Sequence, residues 1–159
     1  MPTWQTVVIT TLALLSGVES AAADTGGSEN SWRSSERVAF SDAQKSRRHV
    51  LVVFGADWCP PCREIEQIMN EEEVFGLLSR SFVPLHFDIT GLSDQDEALQ
   101  SKYQALMIPS VIFLNANGQE LGRWDHRDMS SESFVAQVRD ILITYPVELM
   151  DPRTHQGEL

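Results

Sequence analysis

"HVLVVFGADWCPPCREIEQIMN" runs from His49 to Asn70 and holds both cysteines of the chain, Cys59 and Cys62. Its first eight residues, His49 to Ala56, are continuously apolar and rich in β-branched side chains, as expected of a strand buried on both faces. After Cys59 the period changes. Cys62, Ile65, Glu66 and Met69 recur at helical spacing, which predicts a helix from about Cys59 to Asn70 with these four on one stripe. The two thiols thus stand at a strand-to-helix junction. A disulfide across so short a loop removes little chain entropy from the unfolded state, so the pair is a poor structural staple. The spacing suits a bond that opens and closes without refolding the protein.

The flanking segments follow the same kind of reading. "FSDAQKSRR" (Phe40 to Arg48) offers Ser41 or Asp42 as an N-cap and basic residues in its last turn, hence a short helix. "EEEVFGLLSRS" (Glu71 to Ser81) reads as either a second short helix or a loop, and "FVPLHFDI" (Phe82 to Ile89) as a strand. Ser93 and Asp94 are cap candidates for a helix reaching Ala105. "SVIFLN" (Ser110 to Asn115) is a strand, "ANGQ" carries the Asn-Gly hairpin signal, and "ELGRW" returns antiparallel. Met129 to Tyr145 has Ser130 or Ser131 as its cap and an apolar face of Phe134, Val135, Val138, Ile141 and Leu142. The order is β-α, β-α, β-hairpin, α. Such a chain makes an α/β fold, a central mixed sheet flanked by helices.

Length and composition bound the alternatives. A chain of 159 residues, 42% hydrophobic and 22% charged, can bury a core in one domain with short extensions. Acids outnumber bases 23 to 12, for a formal charge of −11. That excludes the basic footprint of a nucleic-acid binder and disfavours adsorption to anionic lipid. Thr6 to Val18 is apolar and free of charge, and Ala21-Ala22-Ala23 offers the small residues that signal peptidase cuts, before Asp24. Residues 1–23 are therefore read as a signal peptide, with an uncleaved membrane anchor as the alternative, since no Lys or Arg precedes the apolar run. Residues 24–35 read as a flexible linker, 36–145 as the folded domain and 146–159 as a loose tail. Export places the protein in the periplasm or another oxidising compartment, where a Cys-x-x-Cys pair cycles.

With these segments in place, the chain resembles the thioredoxin superfamily. "ADWCPPC" looks like its active-site signature, "MIPS" (Met107 to Ser110) like the loop that carries its cis-proline, and "FLNANGQELGRW" like the hairpin that follows. Within the superfamily the resemblance is nearest to the periplasmic C-terminal domain of the DsbD family of membrane thiol reductases, through "GADWCPPCREIE", "HFDIT" and "ALMIPSVIFLNANGQEL". It covers about Ser35 to Thr144. It implies a thioredoxin-like fold and a thiol–disulfide oxidoreductase that needs no cofactor and acts as a monomer. Its partners would be disulfide-containing exported proteins, with a membrane thiol reductase as electron donor.

The resemblance also assigns roles. Cys59, at a helix N-terminus where free N–H groups and the dipole favour a thiolate, would attack from the exposed edge of the motif. Cys62, one turn inside, would resolve the mixed disulfide. Pro60 and Pro61 are tolerated in a first helical turn but supply no donors to the thiolate. A cis Ile108–Pro109 bond would present the Ile108 backbone to a substrate strand, and Trp58 would shield the dithiol and touch substrate. The family's buried strand acid is replaced here by Val53. Glu66, matching a glutamate of the related domain and four residues beyond Cys62, is the expected substitute, acting through water.

Two readings of other kinds compete. A soft-metal module, for copper, would use the same dithiol. His49, His86, His126 and His155 show no metal spacing, however, and the five methionines do not cluster. A redox-inactive interaction module would have no use for an intact Cys-x-x-Cys. The direction of electron flow, reductant or disulfide oxidant, depends on potential and is not written in the motif.

Overall fold

The computed structural model describes residues 32–124 and 127–147. The expected signal peptide, the first eight residues of the expected linker and the chain from 148 onward lie outside them. The elements are α1 (Glu36–Ser46), β1 (His49–Gly55), α2 (Pro60–Asn70), α3 (Glu72–Ser81), β2 (Phe82–Asp88), α4 (Asp94–Tyr103), β3 (Ser110–Leu114), β4 (Glu120–Arg123) and α5 (Ser131–Thr144).

β1 is the centre of the sheet. All seven of its residues are buried, because it has a strand on either side and helices above and below. The strand order is β2-β1-β3-β4. β1 runs parallel to β2, with Val53 opposite His86 and Gly55 opposite Asp88. It runs antiparallel to β3, with Phe54 opposite Ser110. β3 turns into β4 through a tight hairpin in which Gly118 adopts φ 84°, a left-handed conformation suited to glycine. The Asn115 carboxamide oxygen closes that turn by accepting from the Asn117 and Gln119 amides at 2.9 and 3.0 Å.

Two apolar layers fill the space on either face. One is built from Val50, Val52, Phe54, Val83 and Leu85 of the sheet, with Ala39 and Ala43 of α1 and Leu99 and Tyr103 of α4 packed on them. The other joins Leu51, Val53, Val111 and Phe113 to Ile65, Ile68 and Met69 of α2, Val74 and Leu78 of α3, and the apolar face of α5. Phe134, Val135, Val138 and Ile141 are buried and Leu142 packs on the layer's margin, so the stripe read from sequence is the one that docks.

Two segments differ from expectation, and one that was left open is settled. α1 starts at Glu36, a turn before Phe40, and Ser35 takes the extended backbone of its N-cap. Asp42 is no cap: its carboxylate accepts from Arg33 Nε at 2.9 Å. The segment left open as helix or loop is the helix α3. The end of the expected linker is also paired, since Arg33 forms a parallel bridge with Leu85 on the outer edge of β2. The Arg33 amide donates to Pro84 O at 2.9 Å and the His86 amide to Arg33 O at 2.8 Å, which covers part of an otherwise open strand edge.

Candidate active site

The site begins where β1 ends. Cys59 is the N-cap of α2, with φ −102° and ψ 99°, and its sulfur accepts from the Cys62 amide at 3.3 Å. Pro60 and Pro61 fill the first helical positions without N–H groups, so the Cys62 amide is the first donor the helix can offer. The same amide also donates to the Cys59 carbonyl at 3.1 Å. A thiolate at Cys59 would therefore receive one hydrogen bond and the positive end of the helix dipole, both of which favour the charged form. The two sulfurs are bonded as a disulfide, with the Cα atoms 5.4 Å apart.

Exposure does not separate the two cysteines. Cys59 was expected at the open edge of the motif, yet it is 5% exposed against 4% for Cys62. Both belong to the apolar layer containing Phe54, Ala56, Phe87 and Ile89. The distinction between them is positional, cap against helix interior.

Trp58, by contrast, is 54% exposed. Its indole Nε1 donates to the Thr90 carbonyl at 3.2 Å, and the Asp57 amide donates to the Thr90 hydroxyl oxygen at 2.9 Å. Thr90 in turn donates through its amide and hydroxyl to Asp88 Oδ1, at 2.9 and 2.5 Å. Those two bonds, the hydroxyl first, hold the Asp88 carboxyl below its usual range, with a smaller contribution from His86. The loop after β2 thus fastens the loop after β1. Nothing in the sequence marked Thr90 for this task.

The third side of the site comes from the segment before β3. Because β3 is antiparallel to β1, residues 104–109 return to the end of the sheet that carries the cysteines. The Ile108–Pro109 bond is cis, and Ile108 packs on the layer that contains Cys59 and Cys62. Leu106 and Met107, just before it, are 78% and 68% exposed. Exposed apolar side chains on two converging loops are the surface expected where another chain docks.

Glu66 is not where the periodicity put it. The buried stripe of α2 is Cys62, Ile65, Ile68 and Met69, and Glu66 is exposed. Glu66 stays on the solvent side because burying an unpaired carboxylate is costly, whereas burying Ile65 and Ile68 is favourable. Val53 is buried in the apolar layer beside Leu51 and Ile65. His49 is tied through Nε2 to the Tyr145 carbonyl at 2.8 Å. His126 and His155 lie outside the described residues. Among the described residues no three His, Cys, Asp or Glu side chains gather as a metal site.

A model of the thioredoxin-like domain matches residues 37–150. The chain belongs to the thioredoxin-like family. Among curated relatives, the thiol:disulfide interchange protein DsbD of Klebsiella pneumoniae is 34% identical over 99 residues, 62% of this chain and 17% of that protein. The DsbD of Pectobacterium atrosepticum is 32% identical over 97 residues, again 17% of its length. The chain therefore matches about a sixth of these relatives. Among solved structures, a thioredoxin from Thermus thermophilus superposes with a TM-score of 0.60 at 22% identity, covering 71% of this chain and 87% of that one. The oxidised C-terminal domain of Neisseria meningitidis DsbD gives 0.55 at 18% identity, covering 69% and 98%. These likenesses bear on the fold, which is thioredoxin-like. This thioredoxin-like domain carries a Cys-x-x-Cys pair at the head of α2.

Proposed function

We propose that the protein is an exported, periplasmic thiol–disulfide oxidoreductase that works as a reductant. The observation that carries this reading is Cys59 as the cap of α2, its sulfur within reach of the Cys62 amide. The Cys59 thiolate attacks one sulfur of a client disulfide R–S–S–R′, joining Cys59 to R and releasing R′–S⁻. The Cys62 thiolate then attacks the Cys59 sulfur, releases R–S⁻ and closes the Cys59–Cys62 disulfide. Two electrons have passed from the protein to the client, and both came from its own sulfurs, so no cofactor is involved.

The apolar run Thr6 to Val18 and the alanines before Asp24 support export. No helix of the described residues is long and apolar enough to cross a membrane. Trp58, beside Cys59 in the chain, and Ile108, packed on the layer that holds both cysteines, are assigned with Pro109 to client binding, the clients being exported proteins with disulfides. The likeness to DsbD supports a membrane thiol reductase as the donor that restores the dithiol.

Equilibration of the purified protein with glutathione buffers tests the direction. A reductant is expected to show a potential near that of thioredoxin, about −270 mV, whereas a value near about −120 mV would mark an oxidant.

A further inference from the structure

Cys62 is buried among apolar side chains, surroundings that hold a thiol protonated. It must nevertheless lose its proton to attack the mixed disulfide. On its own helix Glu66 is exposed to solvent, and a buried candidate stands one strand away.

We propose that His86 accepts the Cys62 proton across the space left open by Gly55. Two independent observations place it there. His86 Nε2 is a buried nitrogen with no hydrogen-bond partner, and buried polar atoms in that state call for an explanation. A Cβ added at Gly55 would lie 3.1 Å from His86 Nε2, 3.7 Å from Cys62 Cβ and 3.9 Å from Cys62 Sγ. The imidazole nitrogen and the sulfur thus both stand within 4 Å of the point that a side chain at residue 55 would occupy, a point left free because that residue is glycine. In the Nδ1–H tautomer, Nε2 offers its lone pair to that point.

The position is built rather than incidental. Parallel pairing sets His86 directly opposite Val53, the buried apolar residue two before Gly55. The His86 amide is held by the Arg33 carbonyl, and the Trp32 ring meets the imidazole edge-on at 5.9 Å between centroids. The charged groups on the outer side are Arg33, Glu36 and Arg37 before and on α1, Asp88 on β2 and Asp96 on α4, which line one cleft with His86. α2 presents Cys62 from the inner side. In the step itself, the Cys62 S–H bond breaks and its proton moves to Nε2. The new Cys62–Cys59 bond forms, the Cys59–S–R bond breaks, and R–S⁻ leaves. His86 then returns the proton to the departing thiolate or to solvent.

This inference rests on the exchange reaction proposed above, and the test separates the two. Reduced protein mixed with dithiobis(nitrobenzoate) releases two equivalents of coloured thiolate, the first by Cys59 and the second by Cys62. His86→Gln is expected to leave the first phase unchanged and slow the second by about tenfold or more. It is also expected to alter the pH profile of the second phase relative to wild type. A second phase with unaltered rate and pH profile would overturn the His86 assignment alone. Failure of the wild-type protein to release either equivalent would overturn the exchange reading itself. A measurement on wild-type protein guards against a variant that misfolds. The His86 ring resonances in the NMR spectrum are expected to differ between the oxidised and reduced proteins at one pH, and superimposed resonances would overturn the assignment.

Discussion

At Cys59 one side chain serves as helix cap and is the proposed nucleophile, because the two prolines after it leave the Cys62 amide as the first available donor. Its neighbour Glu66 illustrates how far periodicity reaches. Four residues after Cys62 is the right spacing for a shared face, yet Ile65, Ile68 and Met69 fill the buried stripe and the Glu66 carboxylate lies exposed. Glu66→Gln is therefore expected to change the rate of insulin disulfide reduction by less than about twofold at any pH, as for a solvated surface position. Cys59, Cys62 and Pro109 were legible in the sequence because each belongs to a short local pattern. His86 and Thr90 were not. Their places depend on strand register and on two loops meeting, and neither is encoded in local spacing.

Among the elements, α4 depends most on its ends. No residue of it is fully buried. It starts with a capping box, in which the Asp96 amide donates to Ser93 Oγ at 3.3 Å and the Ser93 amide to Asp96 Oδ2 at 2.8 Å. Ser93→Ala is expected to cost about 1 kcal/mol, read as a lower urea midpoint. α4 is tied to α1 through Glu36, which accepts from Lys102 Nζ at 2.6 Å and from the Tyr103 hydroxyl. Burial pushes the Glu36 carboxyl up, but the bonds from Lys102 and Tyr103 and the Lys102 charge outweigh it, and its pKa is lowered. A lowered carboxyl stabilises the fold above the ordinary carboxylate range and ceases to do so as pH falls through its folded value. The gap in urea midpoint between wild type and Glu36→Gln is thus expected at pH 7 and should close below about pH 4. Tyr103 is raised, by burial first and then by Glu36, so its contribution persists below the ordinary tyrosine range and is lost above it. The sequence placed Ser93 as a cap correctly. It missed the start of α1, because Ser35 caps by backbone conformation without a side-chain bond.

For the molecule as a whole, the order of elements in the sequence was enough to specify a mixed sheet between two layers of helices. Continuous burial of β1 was visible in its unbroken apolar run, and the hairpin in its Asn-Gly pair. The pairing of Arg33 along the edge of β2 was hidden, since a polar, serine-rich stretch reads as linker until a strand edge is there to receive it. What the assembled parts do is bring two sulfurs, an exposed tryptophan and an apolar loop to one end of the sheet, and the account stands on the division of labour between those sulfurs. Trapping tests it most directly. Each single Cys→Ser variant is produced in cells, thiols are quenched with acid and alkylated, and adducts are read on non-reducing gels and by mass spectrometry. Cys62→Ser is expected to accumulate mixed disulfides between Cys59 and client proteins, and Cys59→Ser to accumulate none. Adducts confined to Cys59→Ser would contradict the assignment of Cys59 as the attacking thiolate.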